Sequence, residues 1–303
     1  VTRVLFVAVF GGNSTNNSQA DRLEDLGCAV TRYNYRVQAE KKGPHKRDDE
    51  IIHLAGEHDL VLYSKGNGIL SRVPKTISQR YRDRVVNTAW MMDYHHNLKP
   101  DLIELFDQCQ HVFFARGDTM EKYAEKRKIF GADMHFLAEG FDEKTDKPYD
   151  LPKLYDATFI GSVGGVGCHY GRAEMCQEAG IKVIQGAYGA DHAKVVSQSR
   201  INISFTEGNG ISDRVYKILG AGGFLLAQEW GGPPAFSHVR EGGAIDTFGS
   251  VEELKFKIDW WKDKTELRNL AASKGLEEVQ DYSRDTWARY LLGLSLGIDV
   301  SRL

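Results

Sequence analysis

The residues best suited to hold an anion lie in SDRVYKILGAGGFLLAQEW, Ser212 to Trp230. Ser212 or Asp213 can cap a helix there, which puts Arg214 and Lys217 three apart on one face of its first turn. The exposed N–H groups of a helix N-terminus already carry about half a positive charge, so two added cations are unfavourable unless an anion occupies the spot. A diphosphate meets that requirement. The same spacing also describes a surface helix with two solvated cations. Gly220, Gly222 and Gly223 then end the helix, and FLLA reads as a short buried strand.

A second set of reactive groups follows an apolar run that ends in WMMDYHH. Asp93, partly shielded by Trp90 and Tyr94, can have a raised pKa and accept a proton from an alcohol, and His95 is the alternative base. Equally, Asp93 can cap the next helix with His95 and His96 exposed. No metal site is expected, because adjacent histidines on an extended chain point to opposite sides. LYSKGNGI adds Lys65 and Asn67, which can meet a substrate hydroxyl or phosphate or form a plain turn.

Two glycine-rich loops offer close backbone approach to phosphate or sugar: GGNSTNN, with Gly12 and Asn13, and SVGGVGCHYGR, which follows Gly161 and runs from Ser162 to Arg172. Neither is a Walker loop, since the chain has no GK[ST] triplet. A dinucleotide site is disfavoured, because Gln185 stands where a ribose-binding acid belongs.

The elements that must position these groups alternate. RVLFVAVF, AVTRYNY, LVLYS, VVNTAWMM, HVFFA and MHFLA read as strands in the first half, and DATFIGS, KVIQGA, INISF, GFLLAQ and GGAIDTF in the second. Apolar runs separated by amphipathic stretches predict open parallel sheets covered by helices, an α/β class with two domains. The charged, proline-containing Glu139–Lys153 segment reads as the linker, and the tail after it closes in helices. Ligands are expected in a cleft at the carboxyl ends of both sheets.

At 303 residues the chain is long enough for two cores, and a net charge of -3 provides no broad basic field for nonspecific nucleic-acid binding. Cys28, Cys109, Cys168 and Cys176 form no CxxC pair, which predicts buried thiols in a reducing compartment. No run has the length of a transmembrane helix, so the expectation is a soluble cytoplasmic protein with no membrane contact.

The order of segments resembles the GT-B glycosyltransferases of the CgeB-like group, whose C-terminal part is similar to the family-1/family-4 type domain. The resemblance is carried by RVYKILGAGGFLLA, VVNTAWMMDYHH, CQHVFFARGDTMEKY with FLAEGFD, ATFIGSVG, and SVEELKFKIDWWKDKTELRNLAASKG with YSRDTWARYLL. It implies two Rossmann-like domains facing across a cleft: an acceptor domain at 1–145, a nucleotide-sugar domain at 146–280, and a helix at 281–303 crossing back to the first. A UDP-sugar donor is implied, with Gly12, Asn13, Gly161, Ser162, Arg172, Asp213, Arg214 and Lys217 around it. Lys217 departs from the group, which has Glu there, and this favours a diphosphate role for Lys217 with Arg214. Hexosyl or pentosyl transfer needs no metal cofactor in such enzymes.

The acceptor is open. The group is associated with spore-surface and polysaccharide modification, while compact phage enzymes of this fold glucosylate hydroxymethylated bases in DNA, in which case the compartment is the host cytoplasm. The basic segments KKGPHKR and RVPKTISQRYRDR, with Arg80, Arg82 and Arg84, fit a DNA backbone carrying 5-hydroxymethylcytosine or a related pyrimidine, or form a solvated face. A noncatalytic two-lobed sugar or nucleotide receptor is the reading from a different class, and measurable donor hydrolysis separates it from an enzyme.

Overall fold

The computed structural model describes residues 1–164, 171–206, 211–230 and 243–299, with the side chains of Asp83 and His95 outside that description. The chain divides into two compact units, Val1–Ala138 with Arg284–Leu303, and Glu139–Ser283.

The first unit is built on β1 (Arg3–Ala8), β2 (Ala29–Asn34), β3 (Leu60–Ser64), β4 (Val86–Met91), β5 (His111–Phe114) and β6 (Asp133–Phe136). Between them run α1 (Thr15–Asp25), α2 (Tyr35–Lys42), α3 (Pro44–Ala55), α4 (Arg72–Tyr81), α5 (Pro100–Phe106) and α6 (Gly117–Lys126). The sheet order is β2-β1-β3-β4-β5-β6, and every pairing is parallel. In the middle of the sheet both faces are buried: Leu5 and Val7 of β1 join one apolar cluster and Val4, Phe6 and Ala8 the other, which explains why β1 and β3 read as nearly unbroken apolar runs while the edge strands β2 and β6 do not.

The second unit holds β7 (Tyr155–Ile160), β8 (Lys182–Ile184), β9 (Ser199–Ser204), β10 (Leu225–Gln228) and β11 (Ile245–Phe248), with α7 (Arg172–Glu178), α8 (Ala190–Gln198), α9 (Asp213–Gly220), α10 (Val251–Trp261) and α11 (Thr265–Glu278). Its order is β11-β10-β9-β7-β8, again all parallel. After α9 the chain turns through Gly222 at φ 68°, while the Gly223 N–H donates to the Ile218 carbonyl at 2.9 Å. Only glycine enters that left-handed turn cheaply, and β10 starts two residues later.

Glu139–Lys153 contains no helix or strand, yet it packs within the second unit. Asp146 is buried and accepts from the Asp142 N–H at 3.0 Å, and the Tyr149 N–H donates to Ser197 Oγ at 3.0 Å. Its charges satisfy its own backbone, which is why no apolar period marks it. Finally α12 (Arg284–Leu296) belongs to the first unit, where Trp287 meets Trp90 edge-on at 5.5 Å and Ser295 Oγ accepts from Thr88 Oγ1 at 3.0 Å. Cys28, Cys109 and Cys176 are buried free thiols; Cys168 lies outside the described residues.

Candidate functional site

In the second unit the chain leaves β7 through Ile160 and Gly161, and the first turn of α9 brings Arg214 against this strand end. Arg214 Nε donates to the Ile160 carbonyl at 2.7 Å, and its guanidinium lies over the Phe159 ring at 4.6 Å. A Cβ at Gly161 would stand 2.7 Å from Arg214 Nη2, so this glycine leaves the room the guanidinium uses. Arg172, at the start of α7, donates from Nη1 to the Ser162 carbonyl at 3.2 Å and covers Phe159 from 5.3 Å and Phe205 from 5.8 Å. Residues 165–170 of this loop lie outside the described residues.

Two guanidiniums therefore share one aromatic platform. Burial lowers the Arg214 pKa to about 10, with Asp213 raising it and Arg172 lowering it further. No carboxylate is within ion-pair distance of Arg214 among the described residues. A desolvated cation whose charge is only partly offset, here by Asp213, is costly, and an anionic ligand lowers that cost.

Lys217 behaves differently from the expectation that it stands beside Arg214 as a second open cation. It is the fifth residue of an eight-residue helix, in its last turn, where the helix dipole favours positive charge. Its ammonium is bound to the Asp213 carboxylate one turn back. Burial alone would lower its pKa, but Asp213, Glu139 and Asp146 together raise it. Nor does either proposed cap close the helix with its side chain: Ser212 occupies the cap position without a side-chain cap bond, and Asp213, the first helical residue, is engaged by Lys217.

His192 on α8, which packs against α9, was not evident in the sequence. It is buried, and its Nδ1 has no hydrogen-bond partner among the described residues. Burial first, then Lys217 and Arg214 against the opposing Asp213, lower its pKa to about 3. The folded state thus holds a neutral imidazole while the unfolded chain protonates near 6.5. Stability from this group is complete above pH 6.5 and is lost as pH falls toward 3, at about 1.4 kcal/mol per pH unit, or about 2 kcal/mol by pH 5. Urea unfolding of His192→Asn should show an acid limb shallower by close to one proton; an unchanged slope would refute the assignment.

In the first unit all strands run one way, so loops that follow strands gather at the carboxyl edge and loops that precede them at the amino edge. Lys65 and Asp93, which follow β3 and β4, meet at the carboxyl edge with Lys65 Nζ 2.7 Å from Asp93 Oδ1. Thr119 Oγ1 donates to the Asp93 carbonyl at 3.0 Å, and Arg116, bound to Asp118 at 2.9 Å, lies over the Tyr94 ring at 4.8 Å. Asn67 is half-buried in the Lys65 turn, and His95 opens a short 3-10 turn. Gly12 and Asn13 form the turn after β1, where Gly11 accepts from Ser14 N at 3.0 Å. They belong to this unit, whereas Gly161, Ser162, Arg172, Asp213, Arg214 and Lys217 belong to the other.

The Lys65 turn has positive φ at Lys65 (66°), Gly66 (82°) and Gly68 (80°) and is held from beneath. Arg47, 3% exposed, pairs with the fully buried Asp48, donates from Nη2 to the Gly68 carbonyl at 2.6 Å, and Asp48 Oδ2 accepts from Leu70 N at 3.4 Å. Arg47 is therefore a turn clamp and not part of a basic groove. Arg47→Lys keeps the charge but loses the reach to Gly68, and should lower stability by about 1.5–3 kcal/mol, the scale of a lost charged hydrogen bond. Equilibrium unfolding measures this directly.

Arg80, Arg82 and Arg84 are exposed, but they close α4 and precede β4. They stand at the amino edge, a strand's length from Lys65 and Asp93, and Arg84 Nη2 donates to the Gly56 carbonyl at 2.7 Å. Their expected place beside an acceptor at the strand ends is corrected by the order of elements. Arg72 is bound to Asp49 at 2.9 Å and Lys42 to Glu50 at 2.7 Å. Among the described residues no group of three or more His, Cys, Asp or Glu is arranged to hold a metal ion, and no helix is long and apolar enough to cross a membrane.

Residues 148–293 match the protein family described as glycosyl transferase-like. No curated protein sequence matches the chain. Among solved structures, HepE of Anabaena, determined with UDP and glucose and with UDP-glucose, superimposes with TM-scores of 0.70 and 0.69 at 11% identity, covering 98% of this chain and all of that one. Sucrose-phosphate synthase of Thermosynechococcus elongatus gives 0.70 at 9% identity over 97% of this chain and 98% of its own. Trehalose 6-phosphate synthase of Burkholderia multivorans gives 0.64 at 8% identity with both chains fully covered. The fold is GT-B, and the chain is a glycosyltransferase.

Proposed function

We propose that this enzyme transfers a hexose from a UDP-sugar to a saccharide hydroxyl, with the donor held by the Glu139–Ser283 unit and the acceptor by the unit containing Lys65 and Asp93. The observation that carries the donor assignment is Arg214: a half-buried guanidinium, stacked on Phe159 beside Gly161, with no carboxylate within ion-pair distance among the described residues. HepE, a structure of the same fold, binds UDP-glucose.

Cleavage of the sugar–phosphate bond leaves negative charge on the diphosphate, so donors already aimed at it stabilise the transition state most. Arg214 supplies two N–H groups there, and Arg172 with the Gly161–Ser162 backbone completes the cradle. Lys217, held among carboxylates, orients Asp213 and leaves the phosphates to the arginines. In the other unit Asp93 takes the proton of the acceptor hydroxyl while Lys65 fixes the carboxylate through one oxygen. With Asp93 as base, displacement is direct and the anomeric configuration inverts.

The saccharide acceptor is favoured over hydroxymethylated DNA because the arginines that motivated DNA stand at the other edge of the sheet from Asp93. The test is a screen of nucleotide sugars by thermal shift and donor hydrolysis, followed by mass analysis of products on saccharides and on 5-hydroxymethylcytosine DNA. UDP-sugars should stabilise the protein, and saccharides should gain mass. Stabilisation by no nucleotide sugar would remove the donor reading, and transfer to DNA alone would reverse the acceptor.

A further inference from the structure

The amino edge of the first unit carries a feature unrelated to sugar transfer. Between α6 and β6 the sequence reads KRKIFG, Lys126 to Gly131. Ile129 is 45% and Phe130 77% exposed, two adjacent large apolar side chains turned to solvent. This exposure is not fraying. The base of the loop is pinned by buried Asp107, which accepts from the Lys128 N–H at 3.0 Å and from the Tyr123 hydroxyl at 2.8 Å.

Cations precede the apolar tip: Arg127 lies over the Phe130 ring at 4.6 Å, and its chain neighbours Lys126 and Lys128 are exposed. Of the neighbouring carboxylates, Glu104 pairs with Lys128, Glu125 with Lys122, and Asp133 is exposed next to the loop, so Lys126 and Arg127 are the cations of this run outside those two ion pairs. Arg80, Arg82 and Arg84 precede β4, two strands from β6 in the sheet order. At about 4.8 Å per strand that is roughly 10 Å along the same edge.

We infer that this edge is a docking surface for an anionic lipid bilayer, with Ile129 and Phe130 entering the headgroup boundary and Lys126 and Arg127 lying against the lipid phosphates. An exposed apolar tip next to a basic run matches what interfacial binding needs, since burial and headgroup charge then act together. A nucleic-acid partner would use the cations and could stack a base on Phe130, but it gives the exposed Ile129 no apolar medium to enter. Docking by the amino edge also leaves the carboxyl edge, with Lys65 and Asp93, away from the bilayer.

The test is co-sedimentation of the full chain with vesicles of phosphatidylcholine, alone or mixed with phosphatidylglycerol. Binding is expected to the mixed vesicles, to weaken with added salt, and to fall about tenfold or more in Phe130→Ser. Lys126→Gln should lower partitioning about fivefold, and Lys128→Gln, whose ammonium pairs with Glu104, should lower it less. Phe130→Trp should shift its fluorescence to the blue on mixed vesicles, which keeps the test valid if the serine variant folds poorly. Failure to sediment, equal binding of wild type and Phe130→Ser, or binding to duplex DNA or self-association in place of vesicle binding would overturn the inference. Donor hydrolysis should be unchanged in Phe130→Ser, so this outcome is separate from that of the transfer reaction.

Discussion

Asp93→Asn is expected to lower turnover by about 10²- to 10⁴-fold while leaving UDP binding intact, the range for loss of a general base. Asp93 stands at the end of β4, its carbonyl fixed by Thr119 and one carboxylate oxygen held 2.7 Å from Lys65 Nζ. Asparagine keeps the shape and can still meet Lys65 through its amide oxygen, but it takes up no proton. The discriminating measurement pairs steady-state rates with calorimetric UDP affinity and the anomeric configuration of the product. Near-normal turnover, or retention of the donor's configuration, would eliminate Asp93 as the base of a direct displacement. A loss of UDP affinity equal to the loss of rate would instead assign the residue to binding.

Arg214→Ala is expected to weaken UDP by on the order of 1–3 kcal/mol and to lower turnover by about 10²- to 10³-fold, because the group contacts charge that grows in the transition state. Arg214→Lys should recover little. A lysine has neither the planar face that stacks on Phe159 at 4.6 Å nor the second arm that holds the Ile160 carbonyl while another faces the ligand. Titration calorimetry with UDP decides the first part, and single-turnover rates the second. Unchanged affinity in the alanine variant would remove the diphosphate from this position. Lys217→Ala serves as the contrast, since its ammonium is bound to Asp213 and its removal should affect stability more than UDP affinity.

Sequence alone determined the architecture. Each of the eleven expected strands is present: central strands such as β1 and β3 are buried on both faces and apolar nearly throughout, whereas the edge strands β2, β6 and β8 are partly exposed and stand out by their place in the alternation with helices. The helix, tight turn and strand from Ser212 to Trp230 were legible for the same reason, with Gly222 marking the turn. The amino-edge location of Arg80, Arg82 and Arg84 was missed, although chain order implies it, since a segment preceding a parallel strand lies at that strand's start. What only the tertiary structure decided was the electrostatic state of each charged side chain. Arg47 and Lys217 look like free cations in the sequence; one is buried on Asp48 beneath a turn, the other is tied to Asp213. Arg214 has the same appearance, yet it is stacked on Phe159 without a carboxylate of its own among the described residues. Charge is written in the residue type, but whether it is available to a ligand depends on burial and on distances of a few ångströms to partners that are remote in sequence, such as Phe159, 55 positions before Arg214.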